Sequence, residues 1–171
     1  MSLAGKKIAL FVAKYFEDLE FWYPKIRMQE EGAGIVVIGP EAETYTGKYG
    51  IPAKADEAII DVDPDDFDAL IIPGGYSPDH MRRSPKMVEF VKIMHQQKKV
   101  IATICHGGWM LASAGILEGK KATSFYAIKD DMVNAGAKWL DEEVVVDVNL
   151  ITSRSPADLP AFCKAIIKAV K

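Results

Sequence analysis

The sequence predicts an α/β fold, a mainly parallel sheet covered by helices on both faces, and three observations carry that prediction. Short runs of β-branched and other apolar residues recur along the chain, each nearly continuous, as strands buried on both faces require. Longer segments with apolar residues at helical spacing lie between them, so strand and helix alternate. The length of 171 residues, with 49% hydrophobic and 26% charged, suits one domain that buries a real core without metal or disulfide staples.

Taken in order, Lys7–Val12 is the first strand, and Met1–Leu3 ahead of it reads as an expression scar. Glu17–Glu31 carries one apolar face and ends at Gly32, which makes it the first helix. Ile35–Ile38 is a strand, Tyr45–Gly50 a hairpin or loop, and Asp61–Asp66 a turn into a short helix capped by Asp63. Ala69–Ile72 is a strand, after which Ser84 as N-cap and Pro85 at the first position open a helix running to Gln97. Val100–Ile104 completes an expected parallel core of four strands, and Val144–Val146 and Leu150–Thr152 are further strands. Ser155-Pro156-Ala157-Asp158 resembles a capping box and opens a last helix. Its inner face carries Leu159, Phe162, Cys163, Ile166, Ile167 and Val170, which makes Cys163 a small core residue. With no repeat and no flexible linker, residues 1–171 read as a single domain.

Composition narrows the function classes. Lys plus Arg total 21 against 24 Asp plus Glu, a net charge of −3 without a long basic run, so neither nucleic acid nor an anionic membrane is an expected partner. No apolar run has the length of a signal peptide core or a membrane span. Two cysteines, Cys105 and Cys163, are too few for a disulfide framework and show no C-x-x-C spacing, so a reducing cytoplasm is the expected compartment. No Walker loop, dinucleotide fingerprint, HExxH or zinc spacing occurs, and no metal or cofactor is expected.

The strongest chemical signal is Val100 to Ala112, where a buried strand runs into Cys105, then His106-Gly107-Gly108, then a helix closed by Gly115. This is the pattern of a nucleophile elbow, in which small neighbours allow a strained backbone at the reactive residue. A thiol facing a helix N-terminus is expected to favour thiolate. A second signal, Pro73-Gly74-Gly75 at the end of another strand, offers backbone amides where a developing oxyanion would sit. Thirdly, Glu17 follows the first strand; it either caps the helix or leans over the crevice and shares a proton with Cys105. His106 adjoins the thiol, whereas His80 lies in a loop with Asp79 and His95 is expected to be solvated.

Phe16-Glu17-Asp18, Pro73-Gly74-Gly75, Cys105-His106-Gly107, Ile128-Lys129-Asp130-Asp131 with Asn134-Ala135-Gly136, Glu143 to Asp147, Thr152-Ser153-Arg154 and Pro156-Ala157-Asp158 occur in an order that resembles the PfpI intracellular-protease family, over nearly the whole chain. The family lies in the class I glutamine amidotransferase-like superfamily. The resemblance implies a flavodoxin-like three-layer sandwich with Cys105 as nucleophile, Glu17 tuning it, the amides of Gly75 and His106 as oxyanion hole, and His106 as base. It also implies a homo-oligomer, a dimer or a hexamer, in which Asp79 of a neighbouring subunit completes a Cys-His-acid triad. Relatives often carry Glu there. Gly74, Trp109, Phe125 and Tyr126 are the expected pocket residues.

Two function classes follow. One is an enzyme, either a glutathione-independent glyoxalase or deglycase acting on small aldehydes and glycated adducts, or an intracellular cysteine peptidase acting on peptides. The other is a non-enzymatic redox sensor or chaperone that uses Cys105.

Overall fold

A computed structural model describes residues 1–171 and realises the alternation of strand and helix. The strands are β1 (Lys7–Phe11), β2 (Gly34–Gly39), β3 (Thr44–Thr46), β4 (Pro52–Lys54), β5 (Glu57–Ala58), β6 (Ala69–Ile72), β7 (Val100–Ile104), β8 (Lys121–Ala122), β9 (Lys138–Trp139), β10 (Val144–Asp147) and β11 (Leu150–Ser153). The helices are α1 (Asp18–Glu30), α2 (Ser77–Met81), α3 (Pro85–Gln96), α4 (Gly108–Ser113), α5 (Lys129–Asn134) and α6 (Leu159–Val170).

Seven strands form one sheet in the order β10-β11-β7-β6-β1-β2-β5, parallel throughout except for the edge pair β10–β11. The four expected parallel strands stand together at its centre, and β11 extends them, its four residues all buried against β7. Side-chain alternation then makes two cores. Along β1 and the two residues after it, Ile8, Leu10 and Val12 join the core of Phe21 and Met28 from α1 and Phe162, Cys163 and Ile166 from α6. Ala9, Phe11 and Ala13 join the opposite core of Met87, Phe90, Val91 and Met94 from α3, Leu111 from α4 and Met132 from α5. The result is a three-layer α/β sandwich.

Local details confirm several readings and correct others. Ser84 Oγ accepts from the Met87 amide and Asp63 from the Asp65 amide, as caps. Tyr45 and Thr46 form a hairpin strand, and residues 47–51 turn over to β4. Ser155 caps nothing: a 3-10 turn, Pro156–Asp158, precedes α6, and the Asp158 carboxylate instead accepts from the backbone amide and Nε of Arg154 at 3.1 and 2.9 Å. A guanidinium is the stronger donor for a carboxylate. His95 is half-buried rather than solvated, and burial, then Lys120, pushes its pKa down. Leu3, at the amino end, is fully buried in the core under α1. No helix is long and apolar enough to cross a membrane.

Candidate active site

Strand order decides which loops meet. β11, β7, β6 and β1 are adjacent and parallel, so their carboxyl ends lie on one side of the sheet, and the chain's direction of winding reverses between β6 and β1. Ligands bind at such a switch point. There the loops after these strands line a cavity of about 300 Å³ with Glu17, Glu20, Gly75, Tyr76, Cys105, His106, Ser155 and Pro156, joined by Lys48, Tyr49 and Phe125.

Cys105 follows directly on β7 and has φ +60, in the left-handed region that a non-glycine residue rarely occupies. This strain is the signature of an elbow. Gly107 makes the turn possible, because a Cβ there would stand 2.8 Å from the Ile72 carbonyl. Gly75 is constrained twice over, by φ +71 and by the Tyr15 carbonyl and Glu17 amide, 2.4 and 2.5 Å from where a Cβ would be. The close approach acts at the sulfur: the backbone amides of His106 and Gly75 both favour its charged form, against the larger effect of burial.

The carboxylate beside the thiol is Glu20, not Glu17. Glu17 is the N-cap of α1, its Oε2 accepting from the Glu20 amide at 2.8 Å. Glu20, one turn on and fully buried, accepts the Gly74 amide on Oε2 at 2.7 Å, while its Oε1 has no hydrogen-bond partner and its charge acts on the neighbouring Cys105 thiol. Burial, then the charge of Glu17, raises its pKa to about 8, against the opposing pull of the Gly74 amide, Cys105 and Lys48. Burial, then the Glu20 charge, pushes the Cys105 thiol up as well. The expected lowering by a helix N-terminus is overridden, since desolvation of a thiolate in this floor outweighs the field of the six-residue α4. Two anions in contact are costly, so near neutral pH the pair keeps at least one proton.

Replacing Glu20 with Gln is expected to flatten the pH dependence of stability. The folded carboxyl holds its proton to about pH 8 and the unfolded one only to about its ordinary 4.5, so between those values the native state binds more protons and stability falls as pH rises. Urea unfolding from pH 5 to 8 should show the parent losing up to about 1 kcal/mol per pH unit at its steepest, with the Glu20→Gln curve flatter. A parent curve as flat as the variant's contradicts the assignment.

His106 Nδ1 lies 3.2 Å from Cys105 Sγ, and its ring stacks on Phe125 at 5.2 Å. Burial, then Lys48, pushes its pKa down, so the imidazole is neutral near pH 7. Phe125 lines the cavity as expected, fixed by its amide donating to the Cys105 carbonyl at 3.2 Å. The other expected pocket residues do not line it. Trp109 packs edge-on against His106 and donates its indole N–H to Asp131 at 2.9 Å, since a half-buried indole needs an acceptor. Tyr126 is 74% exposed and lies against Phe125 from outside. Gly74 sits behind the wall, its carbonyl accepting from Ser77 Oγ and the Glu17 amide. Asp79 pairs with Arg83 on the surface and makes no bond to His106 of its own chain.

Lys48, Tyr49, Tyr76, Ser155 and Pro156 were not legible as site residues. The first two arrive because buried Asp18 accepts the amides of Tyr49 at 2.8 Å and Ile51 at 2.9 Å, while the Lys48 amide donates to the Phe16 carbonyl at 2.8 Å. Asp18→Ala is therefore expected to free this loop, accelerating hydrogen exchange at Tyr49 and Ile51 by about tenfold or more. Unchanged exchange at both would show that Asp18 does not hold it. No group of three or more His, Cys, Asp or Glu side chains is placed to hold a metal ion.

A strained cysteine at the mouth of a parallel sheet, with helices on both faces, defines the class: an α/β sandwich of the nucleophile-elbow type. The description of the DJ-1/PfpI family matches residues 6–169, and the chain belongs to that family. It is 46% identical over 165 residues to Deglycase PfpI of Pyrococcus furiosus, covering 96% of this chain and 99% of that protein. It is 45% identical over 168 residues to YraA of Bacillus subtilis, provisionally named a cysteine protease, covering 98% and 99%. Among solved structures it resembles the two-domain protein of Anabaena variabilis with DJ-1/ThiJ/PfpI-like and ferritin-like domains, with a TM-score of 0.94 at 45% identity. That match covers 95% of this chain but 47% of the Anabaena protein. Drosophila melanogaster DJ-1beta superposes with a TM-score of 0.91 at 27% identity, over 96% and 90% of the two chains.

Proposed function

We propose that this chain is a cysteine-dependent, glutathione-independent glyoxalase and deglycase that acts on reactive aldehydes and their early glycation adducts. The observation that carries the reading is the fully buried Glu20 carboxyl, its Oε1 without a hydrogen-bond partner, in the same cavity as the Cys105 thiol, a proton store beside a nucleophile. The name of the Pyrococcus furiosus relative supports it.

With methylglyoxal, the pair reacts from the state in which its one proton sits on Glu20: the Cys105 thiolate adds to the aldehyde carbon, and the carbonyl oxygen takes that proton from Glu20 to give a hemithioacetal. Glu20, now a carboxylate, removes the proton from that carbon, and the resulting enediol is reprotonated at the neighbouring carbon, which leaves a lactoyl thioester. Neutral His106 takes a proton from water, which attacks the thioester; the thiol leaves and lactate is released. One water is consumed and no redox partner is needed. The Gly75 and His106 amides stabilise the oxyanion of the hydrolytic step. Asp79 of a second copy is the proposed partner for the imidazole in a homo-oligomer.

The 3.2 Å contact between Cys105 Sγ and His106 Nδ1 also supports a second reading, an intracellular cysteine peptidase. Methylglyoxal is supplied without glutathione and lactate is followed for the parent and Cys105→Ala. Multiple turnovers by the parent alone support the proposal; no lactate from a reduced thiol overturns it, and peptide hydrolysis then decides for the peptidase. Stoichiometric oxidation of Cys105 without turnover is the result expected of a redox sensor, and holdase activity that survives loss of the thiol that of a chaperone.

A further inference from the structure

Lys48 is an exposed lysine at the rim of the cavity. It belongs to no ion pair in the chain, and its Nζ stands 5.4 Å from the Tyr49 ring centroid and 5.6 Å from that of Tyr76. Those rings also line the cavity, so the ammonium lies at its mouth while remaining exposed to solvent. Its backbone is held there by the Phe16 carbonyl and by the loop that Asp18 clamps. No other lysine or arginine lines the cavity. Neither lining carboxylate forms an ion pair with it: Glu17 is turned to the Glu20 amide and Glu20 to the Gly74 amide.

We infer that Lys48 is a specificity residue that recognises a carboxylate on the substrate, so that the site prefers negatively charged carbonyl compounds and adducts over neutral ones of the same reactivity. One unpaired ammonium matches one negative charge, that of a carboxylate, better than the dianion of a phosphate ester, for which a second cation is missing. The cation also acts on the chemistry it borders, since its field reaches both Glu20 and His106. This inference rests on the proposed deglycase reading for its substrate but not for its test.

The test uses two alkylating agents of nearly equal size, iodoacetate and iodoacetamide, and peptide mapping to follow Cys105 alone. In each case the thiolate sulfur bonds to the methylene carbon and iodide leaves. The ratio of the two rates cancels any change in thiol acidity, which affects both reagents alike. Lys48→Met is expected to lower the iodoacetate-to-iodoacetamide ratio about fivefold, and Lys48→Arg to retain it. Equal ratios in the parent and Lys48→Met overturn the inference. In parallel, the methylglyoxal hemithioacetals of N-acetylcysteine, an anion, and of its neutral amide are compared as substrates. A parent preference for the carboxylate, lost in Lys48→Met, supports the inference, and turnover without that preference overturns it. If neither adduct is turned over, the deglycase reading fails while the alkylation ratio still decides the role of Lys48.

Discussion

Exchanging Cys105 for glycine is expected to abolish turnover while leaving a protein more stable than the corresponding alanine variant. The backbone at this position has φ +60. A residue with a Cβ costs about 1 kcal/mol or more there, whereas glycine occupies the region freely. Neither replacement keeps the sulfur, so the strain difference is isolated from the loss of its interactions with the neighbouring amides. Urea unfolding should place Cys105→Gly about 1 kcal/mol above Cys105→Ala, opposite to the usual order in regular structure. Both variants should lose lactate formation by about a thousandfold or more. Equal stabilities would mean that the elbow relaxes when the thiol is removed, and residual turnover in either variant would remove the thiol from the mechanism.

Gly75→Ala should damage fold and activity together. Here the left-handed φ of +71 is compounded by backbone atoms of Tyr15, Phe16 and Glu17 at 2.4 to 2.8 Å from the new Cβ. None of these can move as a flexible side chain would, because Gly75 and Phe16 are bridged and the Tyr76 amide donates to the Tyr15 carbonyl at 2.9 Å. Strain and overpacking together are expected to cost about 3 kcal/mol or more, read as a lower urea midpoint. In whatever fraction stays folded, the displaced amide no longer faces the sulfur, and kcat should fall about a hundredfold. Parent-like stability with normal kcat would show that the loop between β6 and α2 tolerates a Cβ and that its amide is dispensable. A loss of stability without loss of kcat would confine Gly75 to a structural role.

The elbow and the glycine turn were legible because both are short-range features. A strand, a small-residue turn and a helix follow one another within about a dozen residues, and the steric demands of Cys105, Gly107 and Gly75 are visible in the residue types themselves. The carboxylate was not legible to the same degree. The sequence points to Glu17, which either caps the helix or meets the thiol, and Glu20, three residues further on, gives no local sign of standing there. The helix start settles it: Glu17 spends its side chain on capping α1, which turns Glu20 inward to the Gly74 amide. Trp109 illustrates the converse, an aromatic residue beside the nucleophile whose indole N–H finds Asp131 rather than the cavity.

By itself the sequence determined the alternating strands and helices, the two apolar faces of the sheet, the strained cysteine and the glycine turn, because side-chain periodicity and backbone sterics act between near neighbours. It also carried enough ordered motif to place the chain in its family. Only the tertiary structure decided which loops share a cavity. The order β11-β7-β6-β1 brings residues near 17, 75, 105 and 155 to one edge, and buried Asp18 draws the loop of Lys48 and Tyr49 over it. The tertiary structure also decided the protonation of the site, since the pKa of Glu20 is set by burial and by Glu17, and burial is a property of the assembled layers rather than of any segment.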